Sequence, residues 1–547
     1  MLISASHLLL AEPPAPPPAS AVVVETEKIV ESQTRGSGWK NAMPGMALGT
    51  DDRLRTGEFS RASIRLSDLT TLRLDELTTI EISQAITAGQ AGTLNVKKGG
   101  LYFLNRGKPQ EMKIQTAAAN GALKGTEFAL RVGAGGRTTL AMFEGEVELS
   151  NAKGRVLLKS GEMGVAEIGR APRKTAMIDA TNIIQWSLYY PGVLDPAEFG
   201  VGKSAALEAY RAGDLPRALA LSSAKSGGSA FRAAVILSSG QVAKARAALA
   251  GLKAGDPARA ALERMIAAVQ HREWTGGEPR TASEWVAESY YQQSRGGLEA
   301  ALAAARKATE LSPEFGFAWV RAAEMEFSFG RIGRAKSALD RGLEFTPRNA
   351  QALALKGFLL SAENSIGGAR RSFDEAIALD GALGNAWLGR GLTSIRHGHD
   401  EEGRLDLQTA AVLEPDRSLL RSYLGKSFSQ IGNREKANVE FARAKELDPN
   451  DPTPWLYSAI QRKQENRYNE AVTDLEKSIS LNENRGTFRS QFLLDQDRAI
   501  RGTNLASIYL NNGMTEQSVR EAVRAVDADY SSASAHLFLS NSYDALE

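Results

Sequence analysis

Pro313, Pro347, Gly381, Pro415 and Pro449 follow one another at intervals of 34 residues, each ending a Leu-x or Phe-x pair, and Glu483 continues the series. Counting back 28 residues from these marks gives Trp285, Trp319, Leu353, Trp387, Arg421 and Trp455. Counting back 12 gives Ala301, Ala335, Ala369, Gly403, Ala437 and Ala471. A period of this length carried through six units over residues 282–483 means a stack of two-helix units, each burying its apolar face only against its neighbours. Small residues let the two helices of a unit approach, and a glycine for the turn recurs at Gly296, Gly330, Gly398, Gly432 and Gly513. Residues 204–281 read as degenerate hairpins, the best being Gly213-Asp214 with Ala218. Residues 484–498 read as an insertion, and residues 499–547 as one further repeat plus an unpaired terminal helix. On that helix His536, Leu537, Leu539 and Tyr543 await a covering partner.

Upstream the period changes from helical to two. Arg61-Ala62-Ser63-Ile64-Arg65-Leu66, Thr71-Leu72-Arg73-Leu74 and Thr79-Ile80-Glu81-Ile82 alternate apolar and polar side chains. Further strands are expected over 101–104, 127–132, 138–143, 146–149 and 155–158, separated by turns such as Gly133-Ala134-Gly135-Gly136 and Asn151-Ala152-Lys153-Gly154. Short alternating strands between Gly-rich turns predict an all-β sandwich or roll over residues 22–170. The fold class is therefore multidomain, all-β and then an all-α solenoid. Residues 171–203 connect the two; within them Trp186-Ser187-Leu188-Tyr189-Tyr190-Pro191 is expected to pack the joint. Arg170-Ala171-Pro172-Arg173-Lys174 reads as a solvated basic knot.

The helical register resembles the tetratricopeptide (TPR) repeat. The β-rich part resembles the FecR-type domain in Asp52-Arg53-Leu54-Arg55-Thr56-Gly57 with Ser60, Ala62, Ile64 and Leu66, and in Thr71-Leu72-Arg73-Leu74. The resemblance continues in Lys124-Gly125-Thr126-Glu127-Phe128-Ala129-Leu130-Arg131-Val132, Phe143-Glu144-Gly145-Glu146-Val147 and Lys159-Ser160-Gly161-Glu162. The FecR likeness implies a periplasmic module of bacterial regulators that responds to an outer-membrane iron transporter. The membrane helix and the sigma-factor-binding segment of those regulators are not seen in this sequence. The TPR likeness implies a groove lined by first helices through repeat positions 2, 5, 9 and 12. By register these are Tyr290, Phe317, Val320, Glu324, Phe327, Phe358, Leu388, Leu392, Ile395, Lys426, Leu456 and Ile460, with Gln293, Asn385 and Lys463 as further polar members. So apolar a groove suits a protein or peptide segment with hydrophobic anchors, or else several of these side chains are inter-helix core. Val286/Tyr290 and Val320/Glu324 stand where a carboxylate clamp of chaperone-tail binders would need Lys, Asn or Arg.

The chain of 547 residues carries 66 Lys and Arg against 64 Asp and Glu, too little excess charge for a protein built to bind a nucleic-acid backbone. With no cysteine, disulfides, thiolate catalysis and Cys-built metal sites are excluded. Gly425-Lys426-Ser427 lacks the glycine a phosphate loop needs at Leu420 and lies inside a repeat helix. Gly133–Gly136 reads as a hairpin turn rather than a dinucleotide loop, and His397-Gly398-His399-Asp400 as a solvated inter-helix turn rather than a metal site. No nucleophile, base and oxyanion set assembles, so no catalytic residue, cofactor or metal is assigned and the protein is read as non-enzymatic.

At the N-terminus, MLISASHLLLA has a short apolar run and no basic residue before Lys28, and Glu12-Pro13-Pro14-Ala15-Pro16-Pro17-Pro18 is a stiff polyproline spacer. Residues 1–21 therefore read as a signal remnant or a start placed too far downstream, plus a linker. The expected location is the periplasm or cell envelope, with cytoplasm as the alternative. No run of 18 apolar residues spans a membrane. The resulting expectation is an interaction scaffold holding a peptide in its groove. A FecR-type signalling regulator, or the accessory part of a larger protein continuing past Glu547, are the alternatives.

Overall fold

The computed structural model describes residues 21–34, 37–67, 70–84, 92–106, 112–123, 127–175, 190–198, 204–222, 229–253, 255–270, 272–481, 494–528 and 533–545. The N-terminal run with its polyproline spacer, Trp186–Tyr189 of the joint and Glu483 of the repeat series lie outside them. Among the described residues are 17 strands followed by 20 helices.

The strands form two sheets that share one long strand, Thr93–Asn105. Its first half pairs with Thr79–Gln84 and, in parallel, with Met112–Gln115; its second half pairs with Thr70–Leu74 and Glu127–Val132. The switch falls at Gly99, whose φ is +93° and where an added Cβ would lie 2.3 Å from the Cα of Thr78, so only glycine fits. Val23, Ile64, Leu72, Ile80, Leu94, Phe103, Phe128, Leu130, Leu140 and Val147 fill the space between the sheets. The three alternating runs and the five further expected strands named above all lie in strands. The sandwich also takes in strands that sequence reading passed over, among them Ala21–Glu27, Arg53–Thr56 and Met163–Ala166. The basic knot is not simply solvated: Arg173–Thr175 pairs with 163–165 as an edge strand, and Lys174 donates to Glu162 at 2.7 Å. An edge strand tolerates such charge because its side chains reach water.

First helices of the six repeats begin at Ala282, Gly316, Ala350, Gly384, Ser418 and Pro452, a 34-residue step throughout, and second helices at Leu298, Ile332, Ile366, Asp400, Arg434 and Tyr468. Ala301, Ala335, Ala369, Ala437 and Ala471 are wholly buried between paired helices. In the fourth repeat glycines stand on both sides; a Cβ on Gly403 would lie 2.5 Å from the carbonyl oxygen of Gly391. The turn glycines Gly296, Gly330, Gly398, Gly432 and Gly513 all adopt positive φ, and where the third and sixth repeats lack glycine, Asn364 and Asn466 take the same conformation at φ +63° and +60°. Helix Leu494–Asn511 begins inside the segment read as an insertion, and Thr515–Ala528 and Ala533–Asp544 complete the stack. On the last helix Leu537 and Tyr543 are exposed.

Among the described linking residues, those at 190–195 are largely core. Tyr190, Val193 and Leu194 are buried with Leu207, Tyr210 and Phe231, and Glu198 accepts from the amide of Ala282 at 2.6 Å, capping the first repeat beside the Thr281/Glu284 capping box. The β-sandwich in turn docks on the second helices of the fourth and fifth repeats. Val412 is buried among Tyr102, Leu104, Ala129 and Phe143, and Gln408 donates to Thr71 at 3.2 Å. The sandwich also meets the degenerate hairpins, where Lys244 pairs with Glu76 at 2.6 Å and lies over the Phe59 ring.

Candidate functional site

On the first-helix side, the groove residues inferred from the register have three fates. Tyr290 and Phe317 are buried against the chain's own linker and the helix Ala205–Arg211: the Phe317 ring lies 5.3 Å from that of Tyr210 and packs on Gly192. Val320 and Phe327 are buried between the second and third repeats, Leu388 within the fourth, and Leu456 within the sixth. Leu392, Ile395 and Ile460 are half-buried at the edges of those cores, and Lys426 is half-buried over the Tyr457 ring. Burial lowers the pKa of Lys426, as it does that of Lys463, which donates to Ser507 at 2.6 Å.

What the fold brings together is Glu324, Phe327, Phe358 and Leu388. With Gln351, Leu355, Asn385, Arg417 and Leu419 they line a notch of about 40 Å³ between the second and fifth repeats. That volume receives the tip of one apolar side chain, not a drug-sized ligand. Its floor is apolar and its rim is a hydrogen-bonded polar ladder. Gln351 donates to Glu324 at 2.5 Å, and Arg417 donates to Asn385 at 2.8 Å and pairs with Glu414 at 3.2 Å.

Below the rim, Arg321 is almost fully buried. It donates to Ser289, Gln293 and Glu324 at 2.6–3.2 Å and stacks on Tyr290 with 3.8 Å between guanidinium and ring centre. Burial first, then the Glu324 carboxylate, raises the Tyr290 phenol above its ordinary range. Sequence reading missed Arg321, Gln351, Arg417 and Leu419. By register Gln351 and Leu419 stand at repeat position 2, the same position as Phe317 and Asn385, and were passed over, whereas Arg321 and Arg417 lie off the four expected positions.

A second site is electrostatic and lies between the modules. Arg421 donates to Tyr102 at 2.6 Å and to Glu127 at 2.7 Å, Tyr102 donates to Glu127 at 2.5 Å, and Arg106 bridges Glu127 and Glu440. Burial alone would push Glu127 up, but Arg421, Arg106 and Arg443 outweigh it and hold the carboxyl down at about 2. Beside this cluster, Arg61 grips Glu27 through two hydrogen bonds, while Glu25 receives Ser63 at 3.2 Å and Arg73 at 3.4 Å. Burial, only partly offset by Arg73, raises Glu25 to about 7; burial and the Glu27 charge raise Asp380 to about 7.

His397 and His399 flank an exposed turn with ring centres 5.8 Å apart, and among the described residues no group of three or more His, Asp or Glu is placed to hold a metal. Gly425-Lys426-Ser427 sits in mid-helix, its amides committed to the helix. No described helix is long and apolar enough to cross a membrane.

Subunit 3 of the anaphase-promoting complex of Schizosaccharomyces pombe is 27% identical over 115 residues, 21% of this chain, so the chain spans about a sixth of that protein's length. Among solved structures, a chain of the APC/C hetero-tetramer Cut9–Hcn1 is 15% identical with a TM-score of 0.44, over 63% of this chain and 64% of that one. A tetratricopeptide repeat protein from Parabacteroides merdae is also 15% identical, with a TM-score of 0.34 over 48% of this chain and 98% of its own. The repeat assignment stands on the 34-residue helical register itself, and residues 52–148, in the heart of the sandwich, match the family described as FecR protein.

Proposed function

We propose that this protein is a non-enzymatic protein–protein interaction scaffold of the bacterial cell envelope, binding an extended peptide segment along the first helices of its repeats. The observation that carries this reading is the division of faces. The sandwich meets Gln408, Val412 and Glu440 on second helices and Arg421 on a first helix, whereas the described residues lining the notch around Phe358 lie on first helices or the turn just before one and include none of these. An apolar notch with Gln351, Asn385 and Arg417 on its rim suits a peptide that inserts one hydrophobic anchor and hydrogen-bonds its backbone alongside. The FecR-like module then serves as the part that binds or senses an envelope component, as the family match over residues 52–148 supports. A signalling role is the second reading favoured by the same match.

Site-specific photo-crosslinking tests the groove. A benzoylphenylalanine at Gln351 or Asn385, in the full chain expressed from its native locus, is expected to trap one stoichiometric partner. The same group at Glu375, exposed on a second helix, is expected to trap none. Phe358→Asp should abolish the product. Equal labelling from Glu375, or labelling that survives Phe358→Asp, removes the groove from the mechanism. Fractionation of the same cells tests location: recovery in the cytosol alone sinks the envelope assignment.

A further inference from the structure

A cleft between the two modules has no part in the groove. It has a volume of about 490 Å³ and lies where the outer face of one sheet meets the hairpin helix Val242–Leu249 and the end of the helix Pro257–Val269. Its walls are mostly aliphatic, with Ala141 and Met163 from the sheet and Val242 from the helix, and its polar groups are unbalanced. Arg131, Arg246 and Arg272 line it, and no Asp or Glu is among the described lining residues. The carboxylates that meet two of these arginines approach from outside the lining. Asp75 reaches Arg131 at 2.7 Å while leaving that side chain 61% exposed, and Glu263 reaches Arg246 at 3.4 Å. Arg272 is exposed and forms no ion pair with another described residue.

Three guanidiniums around an apolar cavity are an arrangement for one kind of guest. An apolar body removes the sheet face and Val242 from water, and a negative head meets planar donors suited to carboxylate or phosphate oxygens. The volume falls in the range of small-molecule sites and is too small for a folded partner. We infer that this cleft binds a small amphiphilic anion, a carboxylate or phosphate on an acyl-chain-sized apolar body, with Arg131, Arg246 and Arg272 holding the head. Such a guest touches the sandwich and the degenerate hairpins at once, so its binding also ties the two modules together. The inference is independent of the peptide groove.

Calorimetric titration of the full chain with decanoate, decyl phosphate, decanol and decyltrimethylammonium, each below its micelle concentration, tests it. Saturable one-to-one binding of decanoate or decyl phosphate, at least tenfold tighter than decanol and the cationic amphiphile, is the expected result; the ratio of the two anions tells a carboxylate from a phosphate guest. Arg272→Glu, a change at an exposed position, should weaken the anions at least tenfold with the melting temperature unchanged. Ala243→Trp, which fills the cleft from an exposed rim position, should block binding. Phe358→Asp in the groove should leave it intact. Decanol binding as tightly as decanoate, indifference to Arg272→Glu, or no binding of any probe overturns the assignment.

Discussion

Arg421 shows how one residue can belong to a repeat and to an interface at once. At its register position four other repeats carry Trp, and the indoles of Trp319 and Trp387 donate to the carbonyl six residues earlier, at 2.8 Å. Arg421 keeps that bond through Nε, which donates to Pro415 at 3.1 Å, and spends the rest of its guanidinium on Tyr102, Glu127 and Glu440. Removing one partner of a buried ionic cluster strands the others in low dielectric, typically at about 3–5 kcal/mol. With Arg106 still on Glu127, Arg421→Ala is expected to lie at the lower end, about 3 kcal/mol, read as a fall in the urea midpoint; a fall equivalent to less than about 1 kcal/mol would mean the cluster is not under tension. Gly99 is the corresponding point inside the sandwich. Gly99→Ala combines a left-handed φ with a backbone clash, so loss of soluble full-length protein at 37 °C is the outcome to look for, and a normal melting curve would contradict the bend.

Among the elements, each hairpin depends on its turn and on the small pair beneath it. Asn364 and Asn466 supply the left-handed turn that glycine supplies elsewhere, because Asn carries that conformation at less strain than other side chains. Asn466→Ala should therefore cost about 1 kcal/mol while Asn466→Gly costs little or nothing, a difference that paired denaturation curves resolve; equal effects would place the cost in the lost side chain instead. In the fourth hairpin Gly391 stands against Gly403, and its second helix carries Val412 and Gln408 into the sandwich. Gly403→Val is expected to splay that hairpin, and because the same helix is the docking surface, both modules should lose stability together. Calorimetry in which the β-module melts at its original temperature would show the two to be uncoupled.

For the whole molecule, the docked face makes stability depend on pH. Glu25 and Asp380 have folded values of about 7, well above those of exposed carboxyls, so the stability they confer is complete below about pH 4, declines as pH rises and is lost above about 7. Glu127 behaves in the opposite sense: held at about 2, its contribution is present above about pH 4 and fades as pH falls toward 2. The groups facing Glu25 are Arg73, Arg61, Glu27, Ser63 and Asp380, and one oxygen of Glu25 has no hydrogen-bond partner among the described residues, as suits a protonated carboxyl. The melting temperature should thus rise from pH 8 to about pH 5.5, and Glu25→Gln, which mimics the protonated form, should flatten that rise. A melting temperature that climbs with pH over this window would reverse the assignment.

The repeats and most sandwich strands were readable in the chain because their signals are local. A 34-residue period, a small residue opposite a small residue, a turn residue able to take positive φ and a two-residue alternation are all enforced within tens of residues, and the three alternating runs proved to be strands for that reason. What the local pattern could not carry was which face a repeat side chain presents after superhelical stacking. Gln351 lines the notch while Phe317, at the same register position, is taken up by the linker and its helix, and Arg321 is buried beneath the rim. Nor could it tell where the sandwich would sit. Its marks were present as departures from the period, Arg421 for Trp and Gly381 for Pro, where a Cβ would meet Glu25 at 2.7 Å. A break in a pattern acquires meaning only when a residue about 300 positions away comes to fill it, and that placement rests on burial and charge pairing summed over both modules rather than on any local run.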